Sequence, residues 1–147
     1  MLLRASSDQR IKSVITWAGV SGFENRFPQG IALQKWKIDG VRYILNGRTK
    51  QNMPHYYSFY EDFVLNKDIL NIENAVKNLA IPQLIIHGEQ DEAVNISEAK
   101  MLNKWNPNAM FVQVNSGHTF GSSHPWAKDQ LPSELNHIVV KTISFIK

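Results

Sequence analysis

Cysteine is absent from this 147-residue chain, which excludes a disulfide framework and a metal site built on thiolates. The sequence also lacks any apolar run near the ~18 residues that a membrane-spanning helix needs. Residues 1–12 contain no apolar segment of the kind that marks a secretory signal peptide. These absences favour a cytoplasmic protein without a membrane partner.

Concentrated positive charge is missing as well. The formal net charge is +3, but the lysines and arginines are scattered. No stripe of them alternates with aromatic side chains, as a nucleic-acid-binding surface would favour. Hydrophobic residues make up 43% of the chain and charged residues 20%, which is ordinary for a globular protein. We therefore expect one globular domain without a nucleic-acid partner.

Three short segments have the pattern of strands in a parallel sheet. The apolar run between Pro82 and Gly88 is continuous, as expected of a strand that is covered on both faces. Residues 110–114 form a second apolar run, and residues 11–18 contain a third that is β-branched and aromatic. The sequence therefore predicts about three parallel strands.

Helical patterns separate and follow the last two of these strands. Asn95 and Glu98 resemble a capping box at the start of a helix that continues to Trp105. Beyond Pro132, apolar residues recur at helical spacing and predict a closing helix. Strand, helix, strand and helix over residues 81–147 predict parallel pairing with a right-handed crossover, so the expected fold class is α/β.

Residues from about 22 to 80 have a mixed pattern. Asn46 and Gly47 stand between two β-prone runs and predict a hairpin, which Pro54 is expected to end. Aromatic residues then recur at roughly helical spacing, and a second short helix is expected over residues 71–80. We expect the aromatic stripe to face a core, although it could instead line an acyl or aryl pocket. The stripe comprises Tyr56, Tyr57, Phe59, Tyr60 and Phe63.

Two polar side chains follow two of the predicted strands. Asp91 comes after the strand that ends at Gly88, and His118 comes after the strand over residues 110–114. Ligands of open α/β sheets bind beyond the carboxyl ends of the strands. If the strands are neighbours, the carboxylate and the imidazole can hydrogen-bond. A carboxylate in that position fixes the tautomer of the imidazole and stabilises the imidazolium that forms when the ring accepts a proton.

The segments "IPQLIIHGEQDEAV" and "VNSGHTFGSSHPW" resemble the C-terminal part of the α/β-hydrolases. The likeness is greatest to the dienelactone-hydrolase-like and prolyl-oligopeptidase-like branches. In these branches a strand ends in His-Gly-x-x-Asp-x-x-Val, with the triad acid, and a later Gly-His carries the triad base. The first pattern is matched by His87, Gly88, Asp91 and Val94, and the second by Gly117 and His118.

The resemblance implies a function and an organisation for the whole chain. Residues 1–147 would be the C-terminal part of one α/β-hydrolase domain, with a cap or lid over about 22–80. Asp91 would be the triad acid and His118 the triad base. The implied activity is that of a serine hydrolase of the esterase or acyl-peptidase type, which acts on a small-molecule or peptide acyl substrate and needs no cofactor.

Ser21 lies in a context close to the G-x-S-x-G turn that holds the nucleophile of many serine hydrolases. Phe23 stands where this tight turn needs a second small residue, and no helical run follows. By the resemblance, the strand that ends at Trp17 is the one after the nucleophile strand. Ser21 is therefore predicted to be a loop serine, and the nucleophile turn is predicted to be missing from the chain. The strand near Trp17 would then have a free edge, through which the missing half or a second copy could associate.

Other polar residues near these motifs have simpler explanations. His124 is a rival base, but it lies further from the strand end. His87, at the end of an apolar strand, is expected to be a hydrogen-bonded structural residue, and Glu89 and Glu92 are expected to be solvated. His118 and His124 have no third ligand at a usable spacing, so no metal is expected.

Two other functions stay open at this point. The chain could be a non-catalytic fragment or interaction domain derived from a hydrolase. It could also belong to an enzyme of the same fold with an aspartate nucleophile, as in dehalogenases and epoxide hydrolases. The residue at the missing nucleophile turn would discriminate between these functions.

Overall fold

The structure is a computed structural model that describes every residue except Arg48 and His124. The rival base His124 therefore lies outside the described residues. The chain forms two compact units. The first contains residues 1–22 and 72–147, and the second contains residues 23–71.

Over Gln83–Ile146 the described elements alternate as strand, helix, strand and helix, as the sequence pattern of residues 81–147 predicts. A short 3-10 helix covers Glu24–Arg26. In chain order, the other elements are α1 (Leu2–Ala5), β1 (Val14–Trp17), α2 (Gly30–Asp39), β2 (Val41–Leu45), β3 (Asn52–Tyr56), α3 (Ser58–Leu65), α4 (Ile72–Lys77), β4 (Gln83–Gly88), α5 (Ser97–Trp105), β5 (Met110–Val114) and α6 (Ser133–Ile146).

The first unit is built on a parallel sheet in the order β1-β4-β5, which confirms the predicted α/β class with three parallel strands. The Val14 N–H donates to the Pro82 carbonyl, and the Ala18 N–H donates to the Ile86 carbonyl. These bonds join one side of β1 to β4. Within the described residues, the other side of β1 is an edge of the sheet.

β4 is buried along its whole length because it lies between two strands and is covered on both faces. Its side chains alternate between the faces. Leu84 and Ile86 pack in one hydrophobic cluster with Ile138 of α6. On the other face, Gln83 accepts a hydrogen bond of 3.0 Å from the Asn106 side chain, which follows α5. The two helices thus cover the strand from which the Asp91 loop emerges.

The second unit contains an antiparallel hairpin of β2 and β3, so the predicted hairpin is confirmed. The expectation that Pro54 ends it is wrong, since Pro54 lies within β3 opposite Tyr43. A two-stranded sheet has only edge strands, and an edge strand tolerates a residue without an N–H donor. Tyr56 also differs from the prediction: it is the last residue of β3, opposite Val41, and the helix α3 begins only at Ser58.

Aromatic side chains form the core of the second unit. Phe27, Trp36 and Phe63 are buried together, and the Phe27 and Phe63 ring centroids are 4.9 Å apart. The predicted aromatic stripe therefore faces a core at Phe63, whereas Phe59 is 58% exposed. Part of the stripe also borders an open cavity of about 410 Å³, lined by Lys37, Tyr57, Tyr60, Glu61, Val64 and Leu65. That this unit acts as a cap stays a prediction.

Candidate active site

Asp91 is held by the loop that follows β4. Its side chain is fully buried, and Oδ1 accepts hydrogen bonds from the backbone N–H groups of Ala93 (2.9 Å) and Val94 (2.8 Å). Aspartate commonly accepts such bonds from the N–H groups two or three residues further on. Here they leave the second carboxylate oxygen free to contact another side chain.

That contact is made by His118. Its Nδ1 atom lies 2.8 Å from Oδ2 of Asp91, and its side chain is 46% exposed. The structure therefore brings together the two residues that the sequence places after neighbouring strands. An ionised carboxylate only accepts hydrogen bonds, so Nδ1 donates, and in the neutral ring Nε2 is left as the acceptor. An imidazole in this tautomer can take a proton from a hydroxyl group.

The pKa of Asp91 is lowered from its ordinary value. Burial acts in the opposite direction and would raise it, but the hydrogen bonds from Val94, His118 and Ala93 outweigh burial because they stabilise the charged form. The carboxylate is thus ionised at neutral pH. A negative charge at this position stabilises the imidazolium that forms when His118 accepts a proton.

The loops that carry Asp91 and His118 are joined through their backbones. The Glu89 N–H donates to the Val114 carbonyl at 2.8 Å, and the Gln90 N–H donates to the Ser116 carbonyl at 3.0 Å. These bonds continue the β4–β5 ladder beyond the last residue of each strand. These backbone hydrogen bonds hold the two loops together and so help to fix the distance between the Asp91 carboxylate and the His118 imidazole.

Gly88 makes this close approach possible. A Cβ atom at this position would lie 2.8 Å from the Gly117 carbonyl oxygen and closer still to that of Ser116. No real Cβ atom can stay so close to a backbone oxygen, so the position requires glycine. The sequence motif includes Gly88. The backbone contact that requires a glycine arises only when β4 pairs with β5, and this pairing cannot be read from either segment alone.

His87 is the buried neighbour of the pair, and its ring is 0% exposed. Its Nε2 atom lies 2.7 Å from the Val94 carbonyl oxygen and 3.4 Å from Oδ2 of Asp91. The expected structural hydrogen bond is thus present. Its closeness to the carboxylate was not expected from the sequence. The four-residue spacing to Asp91 is a signal that could have suggested it.

Ser21 lies in the loop after β1, as expected of a loop serine. Its backbone N–H and its hydroxyl group both donate to one carboxylate oxygen of Glu98, at 2.6 and 2.5 Å. In the part of the chain that the structure describes, no hydrogen bond joins Ser21 to His118. The hydroxyl group is therefore engaged away from the imidazole.

The same contact overturns the predicted capping box. Asn95 Oδ1 accepts from the Ser97 N–H at 2.9 Å, rather than from the N–H of Glu98. The Glu98 carboxylate does not reach back to the helix start, because it accepts the two hydrogen bonds from Ser21. A long-range partner, which sequence spacing cannot reveal, has replaced the local one.

Glu89 and Glu92 are exposed, as expected of solvated residues. Among the described residues, no group of three or more histidine, aspartate or glutamate side chains has an arrangement that could hold a metal ion. None of the described helices is long and apolar enough to cross a membrane.

Comparison with known proteins identifies the fold. No family model matches the sequence, and no curated protein matches it. The esterase domain of a Rhodothermus marinus protein is similar in structure, with a TM-score of 0.53 and 18% sequence identity, over 83% of this chain and 49% of its own. The enol-lactonase of Burkholderia xenovorans LB400 is also similar, with a TM-score of 0.55 and 10% identity, over 99% of this chain and 60% of its own.

The chain thus spans about half the length of the esterase domain and three fifths of the lactonase. At these identities the likeness concerns the fold, which agrees with the parallel β1-β4-β5 sheet and its flanking helices. The chain has a partial α/β-hydrolase fold.

Proposed function

We propose that this chain carries the triad acid and base of a serine hydrolase that cleaves an ester or a related acyl bond. The observation that supports this most is the 2.8 Å contact between Nδ1 of His118 and Oδ2 of Asp91. It joins a buried, ionised carboxylate to a half-exposed imidazole in the relation that general-base catalysis needs. Two of the similar structures are an esterase and an enol-lactonase, and both names denote cleavage of a carboxylic ester bond.

In the proposed reaction, His118 moves one proton in each half. Its Nε2 atom accepts the proton of a serine hydroxyl as the serine oxygen attacks the acyl carbonyl. The imidazolium then gives this proton to the leaving alcohol or amine, and an acyl-enzyme remains. Next, a water molecule gives a proton to Nε2 as it attacks the acyl group, and the ring returns a proton to the serine. Asp91 stabilises the imidazolium in both halves.

The serine comes from a segment outside this chain. This part of the proposal is supported by the engagement of Ser21 with Glu98 and by the free edge of β1. A strand that pairs with that edge would place the turn at its carboxyl end beside the loop after β1, on the side of the sheet where Asp91 and His118 lie. It is also supported by the length of the similar structures, which extend well beyond this chain. Residues 23–71 would form the cap.

The first test is the gene sequence upstream of the Met1 codon. We expect an in-frame strand that ends in G-x-S-x-G. The chain should be inactive alone toward p-nitrophenyl esters and active when it is produced together with that segment. Activity of the complete enzyme should be lost in His118→Ala and kept in Ser21→Ala. His137→Ala is the matched control, because this histidine is exposed on α6.

Three results would contradict the proposal. An aspartate in the upstream turn would favour an enzyme with an aspartate nucleophile. A stop codon close to Met1, together with no ester hydrolysis, would favour a non-catalytic protein. Hydrolysis by the chain alone that disappears in Ser21→Ala would make Ser21 the nucleophile.

A further inference from the structure

We propose that His87 is a positioning residue that holds the Asp91 carboxylate in the orientation in which it meets His118. This role rests on the proposed function, but the contacts that define it do not. The His87 ring is fully buried, and its Nε2 atom is 2.7 Å from the Val94 carbonyl oxygen and 3.4 Å from Oδ2 of Asp91.

The surroundings of the ring determine which nitrogen carries the proton. A carbonyl oxygen only accepts hydrogen bonds, so Nε2 of His87 must donate to Val94. Nδ1 is buried and has no hydrogen-bond partner among the described residues. A proton on Nδ1 would be a buried donor without an acceptor, which is costly. The hydrogen bond to Val94 therefore places a proton of His87 on Nε2, where it is donated to the Val94 carbonyl oxygen.

Val94 connects this donor to the carboxylate. Its carbonyl oxygen accepts from His87, while its N–H donates to Oδ1 of Asp91. The hydrogen bond from His87 thus holds the backbone of Val94 in place. The N–H of Val94 in turn holds Oδ1 of Asp91. Oδ2 then lies between two imidazoles, at 2.8 Å from His118 and 3.4 Å from His87. Rotation of the carboxylate away from Nδ1 of His118 would break the hydrogen bonds of Oδ1 to the N–H groups of Ala93 and Val94.

A hydrogen-bond donor at position 87 and a side chain that only fills space there should affect His118 differently. Glutamine can present an N–H donor near the position of Nε2, whereas phenylalanine fills a similar volume without a donor. If His87 positions Asp91, His87→Gln should retain the state of His118 and His87→Phe should not. If His87 is only part of the packing, the two variants should leave His118 equally unchanged.

The test is a long-range ¹H–¹⁵N spectrum of the chain with ¹⁵N-labelled histidine, which reports which ring nitrogen carries the proton. In the unmodified chain we expect His87 to carry its proton on Nε2 and His118 on Nδ1. His87→Gln should keep the Nδ1–H form of His118, and His87→Phe should shift His118 toward the Nε2–H form. His137→Phe, at an exposed position of α6, is the control and should change nothing at His118.

A proton on Nδ1 of His87 in the unmodified chain would overturn the proposal, and this measurement decides the matter even if His87→Phe fails to fold. A folded His87→Phe chain with an unchanged His118 spectrum would also overturn it. In the complete enzyme, His87→Phe should lower kcat about 10- to 100-fold with little change in KM, since small displacements of catalytic groups have effects of this order. If the spectra behave as expected but the complete enzyme hydrolyses no ester, the proposed function fails and the positioning role stands.

Discussion

Nδ1 of His118 and Oδ2 of Asp91 are 2.8 Å apart, although 27 positions separate the two residues in the sequence. The two partners differ in exposure: the carboxylate is fully buried, and the imidazole is about half exposed. One partner is therefore fixed by the loop around it, and the other remains accessible to a reacting group.

Replacing Asp91 with asparagine should abolish most of the hydrolysis by the complete enzyme. An amide lacks the charge that stabilises the imidazolium, and its NH₂ group can hold the ring in the wrong tautomer. In a Ser-His-Asp triad this change lowers kcat about 10⁴-fold. The measurement is steady-state hydrolysis of a p-nitrophenyl ester. Glu92→Gln is the matched control, since it removes an exposed carboxylate one residue away. Activity of Asp91→Asn within tenfold of the unmodified enzyme would contradict the proposed role.

The free energy of unfolding of the chain should decrease in acid because of Asp91. Its pKa is lowered in the folded state, with burial opposing the shift and the hydrogen bonds from Val94, His118 and Ala93 outweighing it. The unfolded chain therefore binds the proton at a higher pH than the folded chain does. The stabilisation is complete above the ordinary carboxyl pKa of about 4 and is lost as the pH falls through the lowered folded value.

Urea unfolding at a series of pH values measures this dependence. Hydrogen bonds also lower the pKa values of Asp8 and Glu134. The two chains that are compared should therefore both carry Asp8→Asn and Glu134→Gln and differ only at residue 91. In that background, adding Asp91→Asn should flatten the decrease below about pH 4. Equal slopes with and without Asp91 would show that its carboxylate does not contribute.

A methyl group at Gly88 should separate the two loops of the site. Because its Cβ would lie too close to the backbone oxygens of Ser116 and Gly117, Gly88→Ala should lower the free energy of unfolding by about 3 kcal/mol. The Nδ1–H signal of His118 should be altered in any molecules that still fold. Gly22→Ala is the control, because a Cβ there meets no atom within 4 Å. Similar stability of the two variants would mean that the loops can shift at little cost.

The parallel sheet and the contact between Asp91 and His118 could be predicted from the sequence because each follows from local patterns. Continuous apolar runs specify buried strands such as β4, and polar residues after neighbouring strands meet at one edge of a parallel sheet. The carboxylate of Glu98 could not be assigned in this way, since its partner Ser21 is 77 positions away. The prediction for Pro54 was wrong because proline is excluded from the central strands of a sheet, whereas both strands of a two-stranded hairpin are edge strands.

The free edge of β1 should make the isolated chain self-associate. The N–H groups of Val14 and Ala18 point to β4, so alternation along the strand directs that of Ile15 to the open edge. Exposed edge donors and acceptors pair readily with another strand. Sedimentation velocity at increasing concentration should show oligomers, and Ile15→Pro, which removes an edge donor, should reduce them.

Val140→Lys is the control for this prediction. It places a charge on the exposed apolar side of α6 and should leave association through β1 unchanged. A monodisperse monomer that unfolds cooperatively would contradict the prediction. Association that disappears in Val140→Lys but persists in Ile15→Pro would assign it to the helix instead.

The two hydrogen bonds from Ser21 to Glu98 have a consequence for protein engineering. They tie down the chain one residue before the first unit ends at Gly22, and the chain returns to that unit at Ile72. The sheet order β1-β4-β5 includes no strand from the segment between these points. Grafts that exchange residues 23–71 for another segment should therefore be joined after Gly22 and should keep Ser21 and Glu98, so that the hydrogen bonds between these two residues hold the first unit in place whatever is inserted.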